Sequence, residues 1–353
     1  MRVPALLREI ARNITSGTTR LGALVLVASL ALTLIVLSDV ITVSRTVHDA
    51  REYRASGAAV MTLALPGRID GRSCEALAEI PDVAAAGAMR ADGKISAATL
   101  PGEPLDHYVT TPTFARVLGA DDRGVGVYVS ADVESSLGSG PLPIAERPVP
   151  IRGSYPYPAD GRRAGFGWAV LSPTSADGIF DECWVLAWPQ RSDLRQLLLA
   201  TVTPAQGAAS TEQPQVSQLN TSPGIAFAGL AGYQSRITQY ASGLAVLVGA
   251  LMAAAAVWFR RVEIASNLHA GAQRGILLLQ HLIEGVAWAV PAVAAAWMAG
   301  FVVAALNAPT ELSSLAVRSL EIALAFAIGS LAGTAVGFAL VREGRLWRYV
   351  KGH

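Results

Sequence analysis

Between Leu21 and Val43 the chain reads LGALVLVASLALTLIVLSDVITV, with one acid, Asp39, near its far end. At about 1.5 Å of rise per residue, a helix of this length spans the ~30 Å hydrocarbon core of a bilayer. A secretory signal is the alternative reading. Its apolar core holds only about 7 to 15 residues and ends at a small-x-small site, whereas Ser44, Arg45 and Thr46 follow here. Three more apolar runs gather downstream, over 240–259, 276–306 and 315–341. The fold class that follows is a membrane protein: four transmembrane α-helices with a large mixed α/β domain, residues 44–236, inserted between the first and second.

Composition agrees with that division, because 52% of the residues are hydrophobic and only 16% charged, against about 25% charge in a soluble domain. Net charge is +1, and no block of basic residues forms a nucleic-acid footprint. Lysine occurs only as Lys94 and Lys351, and neither closes a G-x-x-x-x-G-K-[ST] loop. The chain therefore brings no ATPase motif of its own, no C-x-x-C or H-x-x-x-H metal spacing, and no convergent set of nucleophile and base.

Arginine placement sets the expected orientation. Arg2, Arg8, Arg12 and Arg20 precede the first span. Arg260, Arg261 and Arg274 separate the second from the third, and Arg342, Arg345, Arg348 and Lys351 close the chain. The connection from Asn307 to Ser314 has no basic residue. Both termini and the 260–275 loop are thus expected in the cytoplasm, with 44–236 outside. The chain divides into an interfacial segment at 1–20, spans at 21–43, 240–259, 276–306 and 315–341, and a tail at 342–353.

The segment outside reads as mixed α/β. Ala58 to Leu65 and Trp184 to Trp188 suit strands, and so does Arg147 to Gly153. Cys74 to Ile80 has helical spacing until Pro81 stops it. Val125 to Ser130 looks like a strand entering a helix that Ser130 could cap, with Glu134 near the return position. Residues Val202 to Gly224, rich in Thr, Gln, Ser, Ala and Pro, read as a loose connector. Cys74 and Cys183 both lie in this segment, where oxidising surroundings permit a bond. Closing a loop of about 100 residues would stabilise by ~4 to 5 kcal/mol; two reduced, buried cysteines are the alternative.

Inside the spans, Gly329, Gly333 and Gly337 repeat at four-residue intervals, a ridge of small residues that lets helix backbones approach closely. The pattern leaves open whether that ridge packs within one subunit or across a dimer. Asp39, Glu284, Arg318 and Glu321 are costly in lipid unless hydrated or paired. In the 260–275 loop a helix over 262–269 would put Ile264 and Leu268 on one face, with Glu263 and Asn267 beside it. Such a face can enter a groove on a partner, or it can lie in the headgroup region while its arginines snorkel.

One span, a large outer domain and three spans is an order that resembles the FtsX-like, MacB-type permeases of ABC transporters, the type VII group. The motifs that carry the resemblance are RRVEIASNLHAGAQRGILLLQHLIEG at 260–285, CEALAEIPDVAAAGAM at 74–89, YVTTPTFARVLGA at 108–120, GVYVSADVESSLG at 126–138, and REIARNITSGTTRLGAL at 8–24, the last like an amphipathic elbow helix. The stretch from Pro141 to Gly167 matches no motif of the group, and the tail WRYVKGH departs from its pattern. The resemblance implies a non-catalytic permease subunit in a bacterial cytoplasmic membrane. A separate cytoplasmic ABC ATPase would bind ATP and Mg, and a second permease copy or paralogue would complete a dimer. It makes Arg260, Arg261, Glu263, Ile264, Asn267, Leu268, Gly271, Ala272 and Arg274 the ATPase-coupling element. Motion of the outer domain would then drive efflux, with an extracytoplasmic adaptor. The alternatives are activation of a cell-wall hydrolase, or a sensory permease that resists antimicrobial peptides.

Overall fold

The computed structural model describes residues 12, 20–98, 102–137, 140–144, 147–204 and 212–351, without the side chains of Arg147, Arg345, Arg348 and Lys351. The proposed elbow at 1–20 lies outside them except for Arg12 and Arg20. The chain forms two compact units, a helical one from residues 1–49 and 229–353 and a sheet unit from residues 50–228. In chain order the elements are α1 (Leu21–Ala55), β1 (Val60–Asp70), α2 (Gly71–Ala76), β2 (Val83–Ile95), β3 (Leu105–Thr110), α3 (Phe114–Val117), β4 (Val127–Ser130), α4 (Ala131–Leu137), β5 (Leu142–Ile144), β6 (Arg147–Val149), β7 (Ile151–Tyr155), β8 (Ala169–Pro173) and β9 (Ile179–Ala187). They continue with α5 (Leu194–Leu199), β10 (Gln215–Gln218), α6 (Gly229–Gln234), α7 (Ala241–Phe259), α8 (Arg261–His269), α9 (Arg274–Asn307), α10 (Leu312–Leu340) and α11 (Leu346–Lys351).

In the sheet unit, eight strands pair in the order β10-β1-β9-β2-β3-β8-β4-β7. The β3–β8 and β4–β7 pairs are parallel and the others antiparallel. Successive side chains of a strand point to opposite faces, and β9 serves two cores by that rule. Trp184 packs with Phe114, Tyr155 and Phe166, while Cys183 and Val185 pack with Leu63, Ile69 and Leu198. On the second face Cys183 is bonded to Cys74 of α2, with Cα atoms 5.9 Å apart and both residues fully buried. Asp70 starts α2 by accepting from the Ser73 amide at 2.9 Å.

Several local readings shift. Ser130 caps α4 through the Val133 amide at 3.4 Å, but Glu134 pairs with Arg123 at 2.6 Å and does not return to the cap. Pro150 divides the expected strand at 147–153 into β6 and β7, having no amide to continue a ladder. The connector at 202–224 is corrected: residues 205–211 lie outside the description, but Gln215–Gln218 form edge strand β10 against β1. There the Thr62 and Ser217 hydroxyls meet at 2.9 Å, a cross-strand pairing hidden by the polar composition.

The other edge strand, β7, is closed by the loop before β4. Arg123 donates its amide to the Arg152 carbonyl at 2.7 Å, and the Ser154 amide donates to Asp121 at 2.7 Å. Arg152 grips Asp122 through two hydrogen bonds of 2.8 and 2.9 Å, and this lowers the Asp122 carboxyl from 3.8 to about 2. The contact to Ser154 likewise lowers Asp121. Because both pKa values are depressed on folding, their contribution is complete above the unfolded value and fades as pH falls toward about 2. Acid titration should show protection of the β7 amides from hydrogen exchange weakening below pH ~4, and the weakening should be smaller in Asp122→Asn, whose side chain does not titrate.

In the helical unit α1, α7, α9 and α10 are each long and apolar enough to cross a membrane. Their inward residues, such as Leu32, Val36, Ala292 and Phe326, are buried, while Leu34, Leu251 and Ile328 are exposed. A helix that is apolar on all sides suits hydrocarbon. α1 continues past Val43 to Ala55 because no glycine or proline interrupts it before Gly57.

The glycine ridge of α10 packs on α7 of the same chain. A Cβ on Gly329 would lie 2.1 Å from the Val246 carbonyl oxygen, and one on Gly333 2.1 Å from that of Ala250. The contact is mutual, since a Cβ on Gly249 would lie 2.4 Å from the Phe326 carbonyl oxygen. Gly333→Leu should therefore destabilise the helical unit by about 3 kcal/mol, seen as a lower melting temperature in detergent. Gly243→Leu, on α7 where a Cβ meets nothing within 4 Å, should melt like the parent protein.

Candidate functional site

The segments that enter and leave α7 each supply an arginine that meets a buried acid. At its start, Arg236 lies 3.4 Å from Asp39 of α1, and Arg318 of α10 approaches the same carboxylate at 3.2 Å. Asp39 is fully buried. Arg318 also contacts Glu321 at 3.3 Å and the Gln239 carbonyl at 3.3 Å. One acid thereby ties α1, α10 and the entry to α7.

The other end is built around Arg260, where α7 stops and α8 begins. Arg260 donates to both oxygens of Glu263 at 2.9 and 2.7 Å, and with its remaining arm to Glu284 of α9. The Gln280 amide donates to the second oxygen of Glu284 at 3.3 Å. The Arg260 and Glu284 side chains are 12% and 7% exposed while Glu263 is 38% exposed, so the planar fork joins one nearly dry carboxylate to one that reaches solvent. The fork fixes the start of α8 to α9.

α8 ends by a glycine stop legible in the sequence NLHAGA. Gly271 takes a left-handed φ of +91°, the Ala272 amide reaches the Asn267 carbonyl at 3.0 Å, and the Gly271 amide reaches that of Leu268 at 3.0 Å. This double closure is the Schellman turn, where glycine avoids the Cβ penalty. α9 then starts at Arg274.

The structure separates the residues expected to couple to a partner. Asn267, Gly271, Ala272 and Arg274 are exposed around the turn. Arg261 is turned back on α7, donating to the Trp258 carbonyl at 3.2 Å with its guanidinium 5.2 Å from that ring. Arg260 and Glu263 belong to the ion cluster. Ile264 and Leu268, expected on a face that enters a partner, are instead 1% and 6% exposed within the chain's own core. Val257, Leu277, Phe338 and Val341 surround them, together with Leu346 and Tyr349 of α11. The amphipathic spacing marks a buried face correctly, but the tail helix α11 covers it.

Beside the ion cluster lies a cavity of about 590 Å³, bounded among others by Arg20, Leu24, Glu263, His281, Glu284 and Trp288. Gln280 and His281 were not singled out from sequence, although each lies one helical turn before Glu284. Arg236 was missed as well. Among the described residues no group of three His, Cys, Asp or Glu side chains is placed to hold a metal ion.

No family model matches the chain. No curated protein matches it either. Among solved structures it is similar to a domain of a protein provisionally described as a permease, from Porphyromonas gingivalis. That likeness has 14% identity, covers 41% of this chain and 83% of the other, and has a TM-score of 0.29; at that level it carries no argument.

Removing the centre of the cluster tests its role. Arg260→Met breaks the buried ion pair to Glu284 and should cost about 3 kcal/mol in thermal or denaturant unfolding. Adding Glu284→Gln should recover part of that loss, because a neutral amide needs no counter-charge.

Proposed function

We propose that the chain is the membrane subunit of an ATP-driven permease complex, of the FtsX-like, MacB-type kind. In it a separate cytoplasmic ATPase, holding ATP and Mg, moves the four-helix unit and through it the domain inserted after the first helix. The observation that carries this reading is the attachment of α8. An exposed turn, Asn267 to Gly275, projects from a short helix fixed at both ends. Arg260 ties it to Glu284 on α9, and Ile264 and Leu268 root it among Leu277, Phe338 and Tyr349. Force applied to such a turn passes into two spans, since packed side chains and a bidentate ion pair resist independent motion.

Three sequence features support the same reading. The motif at 260–285 resembles the group's, basic residues flank this loop as they flank cytoplasmic segments, and no P-loop occurs in the chain. The localisation that follows is a bacterial cytoplasmic membrane, with the turn inside and the sheet unit outside. The outer cargo or partner, whether an efflux substrate with an adaptor or a cell-wall hydrolase, is chosen by the sheet unit and by association with a second permease chain.

The test uses the exposed turn, leaving the buried face alone. Asn267→Glu combined with Arg274→Glu changes charge where both side chains are exposed, so insertion and melting should match the parent. Copurification of the ATPase, or stimulation of its turnover, should fall about tenfold, equivalent to ~1.4 kcal/mol of lost contact. Normal association and turnover in that variant would remove the turn from the coupling path. Without the ATPase, the purified chain should neither bind nor hydrolyse ATP.

A further inference from the structure

Three side chains of the sheet unit meet in an order that no sequence spacing announces. Ser172 of β8 and His107 of β3 are 65 residues apart, yet the serine Oγ and the ring Nε2 lie 2.8 Å from each other. On the other side of the ring, Nδ1 lies 3.2 Å from a carboxylate oxygen of Asp92 in β2. Register explains the meeting. β3 and β8 run parallel, with His107 opposite Val170 and Val109 opposite Ser172, so His107 and Ser172 share one face two positions apart. Between Ala91 and Lys94 the pairing of β2 with β3 shifts, and Asp92 and Gly93 together stand opposite the single residue His107. Gly93 takes a left-handed φ of +81° there. A β-bulge of this kind re-aims a side chain, and here it brings the Asp92 carboxylate to His107.

The roles follow from what each group can donate. An ionised carboxylate only accepts, so Asp92 favours the neutral ring with its proton on Nδ1. Nε2 of that ring presents a lone pair, and the Ser172 hydroxyl donates to it. A hydroxyl held by a base, with the base held by a third group, is the arrangement that activates a nucleophile. Solvent reaches the set, since the His107 and Asp92 side chains are 16% and 56% exposed and Ser172 is half-buried. The pairing of β8 with β4 stops at Leu171, which leaves Ser172 past the end of that ladder. Val109, opposite Ser172 on the same face, is also half-buried and offers an apolar contact to a short acyl chain.

We infer that Ser172, His107 and Asp92 form a site that hydrolyses short-chain carboxylic esters. Ser172 Oγ bonds to the carbonyl carbon while its proton passes to His107 Nε2. The bond from that carbon to the leaving alkoxide then breaks, and the alkoxide takes the proton from His107. Water repeats the exchange on the acyl-serine, which restores Ser172 and releases the acid. Asp92 is a positioning residue, holding the ring and favouring the imidazolium that forms between the two transfers. The site lies wholly within the sheet unit and is independent of the permease reading.

The experiment uses the purified full chain in detergent, with a fluorophosphonate probe and, separately, p-nitrophenyl acetate. The probe bonds phosphorus to an activated serine oxygen with loss of fluoride, and peptide mass spectrometry locates it. Ser172 should carry the label, while Ser175, whose hydroxyl donates to Asp177 at 2.7 Å, should not. His107→Ala should slow both labelling and p-nitrophenolate release about a hundredfold, the worth of a positioned general base. Ser172→Ala should lose release to the same extent. Asp92→Asn should slow both by about fivefold, and Asp92→Glu should recover part of that loss by offering a carboxylate again. A parent chain unlabelled at Ser172, labelling without ester turnover, or release that persists at the parent rate in Ser172→Ala or His107→Ala would overturn the site. Labelling is read on the parent itself, so a variant that melts early does not remove the test.

Discussion

The close approach of α7 to α10 sets the geometry of the helical unit. Gly249, Gly329 and Gly333 bring backbone against backbone, with no room for a Cβ at any of the three. In a hydrocarbon setting apolar burial gives little net drive, because lipid is as apolar as leucine, so contact of this kind must supply the association. The seam fixes α7 in rotation and in height. It thereby delivers Arg236 to Asp39 at one end and Arg260 to Glu284 at the other.

Those ion pairs then become nearly obligatory. Asp39 is fully buried and Glu284 almost so, and an isolated charge there costs several kcal/mol. Each acid is met by an arginine from another element, so a shift of one helix along its neighbour would break a buried ion pair. The two clusters therefore act as end stops. They resist sliding of one helix against the rest more than they resist concerted movement.

The sheet unit follows a different economy. It has ordinary two-sided cores, a disulfide holding α2 on one face, and edges closed locally, β7 by the Asp121–Arg123 loop and β1 by β10. The hydrogen bonds that cover β1 and β7 come from within the unit, from strand β10 and from the loop at 121–123.

Hydropathy by itself determined that four helices long enough to cross a bilayer flank one large insert, because a run of apolar residues has few other options. The NLHAGA stop was also legible, since a glycine there permits a left-handed residue. The two cysteines were identifiable as a pair, and the glycine ridge as a surface for close packing. Only tertiary structure decided what meets what. It joined Cys74 to Cys183 by bringing their Cα atoms within reach, and it set the ridge against α7 of the same chain. It also turned the Ile264 and Leu268 face inward, under α11, and not toward a partner. Periodicity reports that a face is buried, but a pattern along one helix holds no information about the surface that buries it. His281, Gln280 and Arg236 were unreadable for the same reason: their significance depends on acids and carbonyls that lie elsewhere in sequence or one helical turn away, brought together only by packing.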